Sequence, residues 1–503
     1  MMDFIQNFPF FTIVLSLFCS VVAFGFKGKK ARFTTYFLLT STALMSLCVL
    51  IYNYYTGDGY FVYRMGHYDA PIGNEISAGL LEPFFALLFE VVILLSIVGG
   101  AKKIFADTKE SKHKFFYIMV NLVHASLVAL CYTNDIFTAY VFIEICTIAS
   151  CSLLMLRSSG KALAAATRYM IFSLIGSAFT LIGIILLYAI TGHLLFPQLY
   201  STLQTLWETG NYTMPLTISL GLLICGLAIK SGLFPFHFWM PDTYGTATPA
   251  ASGILSGVVS KGYIFLLFKI IYRVIGVEVF IDSGIHYLIF VLGILGMIFG
   301  SIAAINAKNI NYMVAFSSAA QIGYIYMGLG LGSTAALLAS LFQITAHSLT
   351  KPMFFLSTSG LSDTVNGRQG FSAIASSGHN NKIAGFTFGA GALSMIGIPV
   401  FVGFIPKLLF SISSFNHGIS TYLVLIALAV STILNVIYFL RTTLNIFGPP
   451  KGDFERKNIS FSQSKTFSVV VLLMTVINIA VGLHSQPLIT LFEKGIEIFS
   501  NIH

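Results

Sequence analysis

Gly226-Leu-Ala-Ile-Lys230-Ser-Gly-Leu-Phe-Pro235-Phe-His237-Phe-Trp-Met-Pro-Asp242 reads as the end of an apolar helix that carries a lysine and then breaks. Pro235 cannot donate a backbone hydrogen bond, so carbonyls near Lys230 are freed and the helix is expected to be interrupted there. A lysine beside broken backbone inside an apolar run is an ion-site arrangement of membrane transporters. The rest of the chain fits that setting. Of 503 residues 56% are apolar and only 9% charged, against about 25% charged in a soluble domain. Mean hydropathy is +0.85, and there are 47 Phe. No water-soluble fold covers that much apolar surface with so few charges. The composition predicts an all-α integral membrane protein and leaves no room for a sizeable soluble catalytic domain. A barrel is excluded because the apolar segments are continuous and do not alternate.

Apolar runs fall at about 8–26, 33–52, 79–98, 115–131, 134–156, 169–190, 214–232, 250–272, 286–304, 313–331, 335–356, 384–412, 420–440 and 466–486. The reading is one transmembrane domain over 1–503, with about 14 helices. The first run is not a cleaved signal peptide, because Lys27, Lys29, Lys30 and Arg32 follow it and do not precede it. Loops after odd-numbered helices hold Lys27–Arg32, Lys102–Lys114, Arg157–Arg168, Asp242, Lys308, Asp363–Lys382 and Arg441–Lys465 and are strongly basic in sum. The other side, with Asp3, Asp58–Glu75, Asp135, Glu208, Arg273–Asp282 and Glu493–Glu497, is net acidic. The positive-inside rule therefore puts the odd loops in the cytoplasm and both termini outside. The same distribution explains the net charge of +9 without nucleic acid. Cys19, Cys48, Cys131, Cys146, Cys151 and Cys225 make no CxxC and read as small buried hydrophobes, holding no metal, cluster or disulfide. Gly328-Leu-Gly330-Leu-Gly332 has no strand before it and reads as close helix packing, with no phosphate loop.

Charges inside the runs are costly, about 2.5–3.5 kcal/mol each at mid-bilayer on insertion scales. Glu144, Lys230, Lys261, His347, Lys351 and Lys407 are the candidates for proton translocation. His347 and Lys351 are spaced i, i+4 and share a helix face. Glu82, Glu90 and His237 are weaker candidates, since Glu82 begins its run and His237 lies in the break. Lys269 and Arg273 lie at a helix end and are expected to snorkel to the interface. Lys407 follows Gly397-Ile-Pro399-Val-Phe-Val-Gly403-Phe-Ile-Pro406, a second interruption with a lysine. The two interrupted helices are the seventh and twelfth. Five helices apart, they run in opposite senses, which is the mark of an inverted repeat. The units would be 115–275 (helices 4–8) and 286–440 (helices 9–13), with 1–114 holding helices 1–3 and 466–486 the last helix.

Lys230 to Asp242, followed by Thr248-Pro-Ala-Ala-Ser-Gly-Ile-Leu-Ser-Gly-Val-Val-Ser-Lys261, resembles the signature of the antiporter-like subunits of respiratory complex I, membrane-bound hydrogenases and Mrp-type multi-subunit sodium/proton antiporters. Ala315-Phe-Ser-Ser-Ala-Ala-Gln-Ile-Gly-Tyr324, Gly397 to Lys407 and Arg168-Tyr-Met-Ile-Phe-Ser-Leu-Ile-Gly-Ser177 resemble three further family motifs. Lys261 and a lysine, not glutamate, at 407 are most similar to the D-type Mrp subunit, then to the N-type complex I subunit. Asn309-Ile-Asn311-Tyr312 departs from the family's charged pattern, and Pro399-Val400 from its Pro-Pro. The short stretch after the last run implies that the long lateral helix of the largest members is missing. The resemblance implies that Glu144 faces Lys230, that Lys261 is the central base, and that His347, Lys351 and Lys407 complete a hydrophilic axis. It implies a proton-translocating subunit of a cation/proton antiporter in the cell inner membrane, working with other small and large membrane subunits, protons, sodium ions and the lipid bilayer. The alternatives are the pumping subunit of a complex I-like dehydrogenase or hydrogenase, at most the translocating part of a redox-driven enzyme, and an autonomous metabolite transporter. No cofactor, metal or nucleic-acid site is expected. Burial penalises an ammonium charge and a nearby carboxylate restores it, so moving Glu144 relative to Lys230 would switch that lysine between holding and releasing a proton.

Overall fold

A computed structural model describes residues 2–56, 59–68, 73–415 and 418–501; the loop charge Asp58 lies outside them, as does the Asp3 side chain. Among the described residues, ten helices are long and apolar enough to cross a membrane. They are α2 (Gly28–Tyr55), α3 (Leu81–Gly99), α4 (His113–Tyr132, extended by a short turn), α5 (Ile136–Met155), α6 (Gly160–Thr191), α7 (Thr213–Thr246 with its break), α8 (Pro249–Ile275), α9 (Ile285–Ile305), α13 (Ile419–Phe447) and α14 (Lys465–Leu483). Four more complete the series expected from the apolar runs. α1 (Phe8–Phe24) is shorter, and α12 is split into Lys382–Ile396 and Phe404–Ser413. α10 (Ile310–Gly330) and α11 (Thr334–Asp363) carry Ser317, Ser318, Gln321, Gln343, His347 and Lys351, which lower their hydropathy. The chain is an all-α multi-pass membrane protein.

Burial sorts these helices into centre and rim. α8 is buried over its whole apolar window, while those of α2, α6, α13 and α14 are less than half buried. The rim shows Phe18, Phe33, Leu44, Ile185, Ile426 and Ile433 outward, as expected of a lipid-facing surface. α10 and α11 are buried almost throughout. The most polar helices therefore occupy the interior, where a membrane bundle keeps its ionisable groups. The glycine run at the end of α10 acts in packing, as its lack of a preceding strand implied. A Cβ on Gly330 would lie 2.5 Å from the backbone nitrogen of Phe290, and one on Gly323 would lie 2.6 Å from the carbonyl of Gly293. α9 and α10 thus meet backbone to backbone.

Three elements were not foreseen. Phe61–Arg64 (β1) pairs antiparallel with Glu75–Ala78 (β2) in the loop before α3. An amphipathic helix, Phe196–Glu208, connects α6 to α7. A last amphipathic helix, α15 (Gln486–Asn501), turns back onto α3, where Phe492 packs edge-on against Phe84, with ring centroids 5.0 Å apart. All three are short or polar on one face, so an apolar-run reading passes over them. The cysteines are free; Cys48 is exposed on α2 and Cys225 is half-buried, so the buried-hydrophobe reading fits only the other four.

Candidate functional site

Both expected breaks are present. α7 stops at Gly232, whose φ of 81° is left-handed, and resumes as Met240–Thr246. α12 stops at Gly397, with φ 91°, and resumes at Phe404. Glycine adopts this conformation without a Cβ penalty. The two lysines do not occupy corresponding places. Lys230 ends the first half of α7. Lys407 lies in the second half of α12 and reaches back to the freed carbonyl of Ile396, with Nζ at 2.6 Å.

Glu144 and Lys230 meet. Lys230 Nζ lies 3.4 Å from Glu144 Oε1 and donates to Thr147 Oγ1 at 2.8 Å. Thr147 is one turn on from Glu144, on the same face of α5. The Ser177 hydroxyl donates a short hydrogen bond to Glu144. Gly176, beside it, lets α6 approach, since a Cβ there would lie 3.0 Å from Lys230 Cγ. Two members of the 168–177 motif therefore build the Glu144–Lys230 pair. At the other end of that motif Arg168 ion-pairs with Asp242, and Tyr312 donates to the same carboxylate at 3.1 Å. The tyrosine supplies a neutral donor where the family pattern has charge.

Lys230 Nζ also lies 5.8 Å from the centroid of Tyr263, on α8 next to the central lysine. Lys261 is fully buried. Its Nζ donates to the carbonyl of Ser256, and to Ser260 Oγ at 3.0 Å. Ser256 belongs to a π-helical turn, Leu255–Val259. Such turns displace the usual i→i−4 pairing and leave a carbonyl for a side chain. No sequence signal marked it.

On α11, Lys351 donates to Ser317 Oγ at 2.5 Å and to the Val314 carbonyl at 3.0 Å, both on α10. His347 is fully buried, and neither ring nitrogen has a partner among the described residues. The charges of Lys261 and Lys351 both bear on it. Lys407 donates to Thr432 Oγ1 at 3.1 Å and lies 5.7 Å from the Tyr324 ring. α10 and α11 carry a further buried polar contact, the Gln343–Gln321 hydrogen bond at 2.6 Å. Thr147, Ser177, Tyr263, Ser317 and Thr432 escaped the sequence reading because hydroxyls are common in membrane helices and carry no charge cost.

The weaker candidates separate. His237 is buried in the α7 break, its ring 5.5 Å from Phe234 and 4.7 Å from Phe238, with Nδ1 unpartnered among the described residues; no hydrogen bond ties it to the six axis residues. Glu82 ion-pairs with Arg273 at 2.9 Å and accepts from the Gly79 backbone N–H at 2.9 Å. Glu90 meets His124 at 3.3 Å. Lys269 and Arg273 do not snorkel. Lys269 is fully buried and donates to the carbonyls of Cys131 (2.8 Å) and Thr133 (2.5 Å) at the end of α4. Arg273 donates to Ser77 at 2.9 Å and lies 4.3 Å from the Phe499 ring. The hairpin and α15, both unforeseen, close over this end of α8 and remove its path to water.

The arrangement gathers ionisable groups of α5, α7, α8, α11 and α12, with Lys230, Lys261, His347 and Lys351 buried and Glu144 and Lys407 half-buried. The lysines and Glu144 are held by hydroxyls or freed carbonyls, while His347 has no partner among the described residues. Known proteins share both the sequence pattern and the fold. The chain is 28% identical to an N-type subunit of NADH-quinone oxidoreductase from Desulforudis audaxviator, over 88% of this chain and 86% of that protein. It is 26% identical to a D-type subunit of the Na(+)/H(+) antiporter of Alkalihalophilus pseudofirmus, over 96% and 94%. Its fold matches a chain of the Mrp complex from Dietzia sp. with a TM-score of 0.87, at 20% identity over 99% of this chain and 98% of that one. It matches a chain of the archaeal membrane-bound sulfane sulfur reductase with a TM-score of 0.87, at 23% identity over 99% and 97%. Residues 133–435, which hold all six axis residues, match the family model described as NADH:quinone oxidoreductase/Mrp antiporter, transmembrane, and the chain belongs to that family.

Proposed function

We propose that this chain is the proton-translocating subunit of a multi-subunit sodium/proton antiporter in the cell inner membrane, with both termini outside. Protons would pass along Glu144, Lys230, Lys261, His347, Lys351 and Lys407. The observation that carries the reading is the Glu144–Lys230 contact. A partly exposed carboxylate sits 3.4 Å from a buried ammonium that ends a broken helix. Removing either partner's charge changes the cost of holding a proton on the other. Lys261, His347 and Lys351 are all buried and repel one another when charged, so a proton added at one end would favour release at the other as a coupled titration. The breaks in α7 and α12 would let water reach the axis from opposite sides, and the two halves 115–275 and 286–440 would be related by a two-fold axis in the membrane plane.

Replacing Glu144 by Gln keeps size and hydrogen bonding but removes the switching charge. In inverted vesicles, sodium-driven proton movement read by dye quenching is expected to fall to background, with the protein still in the membrane. Near-normal flux in Glu144→Gln contradicts the reading. The 28% identity to a complex I N-type subunit supports one other reading, a pumping subunit attached to a redox arm. Affinity purification separates the two: small hydrophobic companions support the antiporter, and companions bearing iron–sulfur clusters support the redox arm.

A further inference from the structure

A second buried acid–base group lies away from the lysine axis, among α1 to α4. His124 on α4 touches three other helices: Ser16 Oγ of α1 lies 2.9 Å from Nδ1, while Thr42 Oγ1 of α2 (3.5 Å) and Glu90 Oε1 of α3 (3.3 Å) face Nε2. Glu90 and His124 are both 0% exposed. Glu90 Oε2 has no partner among the described residues.

The donors and acceptors fix what this group contains. The Ser16 hydroxyl lies 2.5 Å from the Thr12 carbonyl and the Thr42 hydroxyl 3.0 Å from the Leu38 carbonyl, and each donates its hydrogen there. Both oxygens are then left as acceptors toward the imidazole, and the third neighbour is a carboxylate oxygen. Three acceptors surround a ring that, when neutral, donates only once. A second hydrogen is needed, either on Nε2 or on the Glu90 carboxyl. Loss of one proton is accommodated by one rotation. The proton leaves from Nδ1, the other hydrogen stays in the Nε2–Glu90 contact, and the Ser16 hydroxyl turns from the Thr12 carbonyl to donate to Nδ1.

We propose that Glu90 and His124 hold one exchangeable proton between them, forming a proton-binding site outside the lysine axis, with Ser16 as the hydroxyl that reverses when the proton leaves. Among the described residues, α1 and α2 meet the pair through the hydroxyls of Ser16 and Thr42. The titratable groups beside it are Cys131 and Tyr132 at the end of α4, on both of which the Glu90 charge bears, with Glu82 acting on the same two groups. Lys269 and Arg273 lie beyond, on Cys131 and Glu82 respectively. The site stands near the axis. Leu127, one turn on from His124, fills the space beside Gly262, the neighbour of Lys261.

The test is infrared difference spectroscopy on the purified full chain in lipid nanodiscs, stepped in pH, with isotopically labelled glutamate and histidine. A carboxyl or imidazole band that appears on the pH step is expected, and it is expected to vanish in both Glu90→Gln and His124→Gln. Ser16→Ala removes the hydroxyl that serves both protonation states, leaves packing nearly intact, and is expected to change the pH dependence of the band relative to wild type; it carries the test if either larger change prevents insertion. Difference spectra that are the same in wild type, Glu90→Gln and Ser16→Ala overturn the proposal, as they mean a pair with a fixed, structural proton. Glu144→Gln separates this site from the axis: the band is expected to persist there whether or not transport is lost.

Discussion

Arg273 and Glu82 form a buried ion pair at the end of α8, and its residues have a measurable consequence. Replacing Arg273 by Ala leaves Glu82 buried without its countercharge, a change that costs about 3–5 kcal/mol when a buried pair is broken. Thermal unfolding in detergent is expected to shift down markedly, and the double change Arg273→Met with Glu82→Leu is expected to recover most of the loss. A single Arg273→Ala that melts like wild type shows that the pair carries no structural load. The same residues mark a limit of reading burial from sequence. Glu144, Lys261, His347, Lys351 and Lys407 stand out because each lies inside an apolar run, and Lys230 because a glycine–proline break follows it. Lys269 and Arg273 stand at a run's end, where a long side chain ordinarily finds water. They are buried because the hairpin and α15 cover that end, and neither of those elements is a continuous apolar run.

At the level of helices, the breaks were readable from glycine and proline, but the lysines' places relative to them were not. Lys230 precedes its break, whereas Lys407 lies ten residues after Gly397 and returns to it. The π turn that offers a carbonyl to Lys261 was equally silent, since Leu-Ser-Gly-Val-Val is compatible with an ordinary helix. Gly397 links break and lysine directly. Its φ is 91°, and a Cβ there would lie 2.8 Å from Lys407 Cδ. A non-glycine residue in a left-handed conformation costs about 1–2 kcal/mol, and the lysine must also move. Gly397→Ala is therefore expected to insert and melt a few degrees lower, yet to lose most of its proton flux in vesicles. Full flux with a lowered melting point would separate the break from transport.

For the whole molecule, the fourteen apolar runs each found their helix because a membrane span needs about 20 apolar residues and few segments satisfy that by accident. α10 and α11 were legible as runs although polar residues interrupt them, and their interior position explains those residues. The proposed sidedness, with both termini outside, rests on the basic loops after odd-numbered helices. Epitope tags at both ends are expected to be reached by antibody from outside intact cells and protected in inverted vesicles; cytoplasmic exposure of both would reverse the orientation and the direction assigned to each break.

The central claim is that buried lysines exchange protons and do not merely hold charge. Arginine at 407 keeps the positive charge and can reach the Ile396 carbonyl and Thr432, but a guanidinium does not release a proton in the physiological range. Sodium-driven proton flux should be measured by dye quenching in inverted vesicles that carry Lys407→Arg at wild-type abundance. The account predicts flux near background. Flux close to that of the wild type contradicts it and assigns Lys407 to the scaffold.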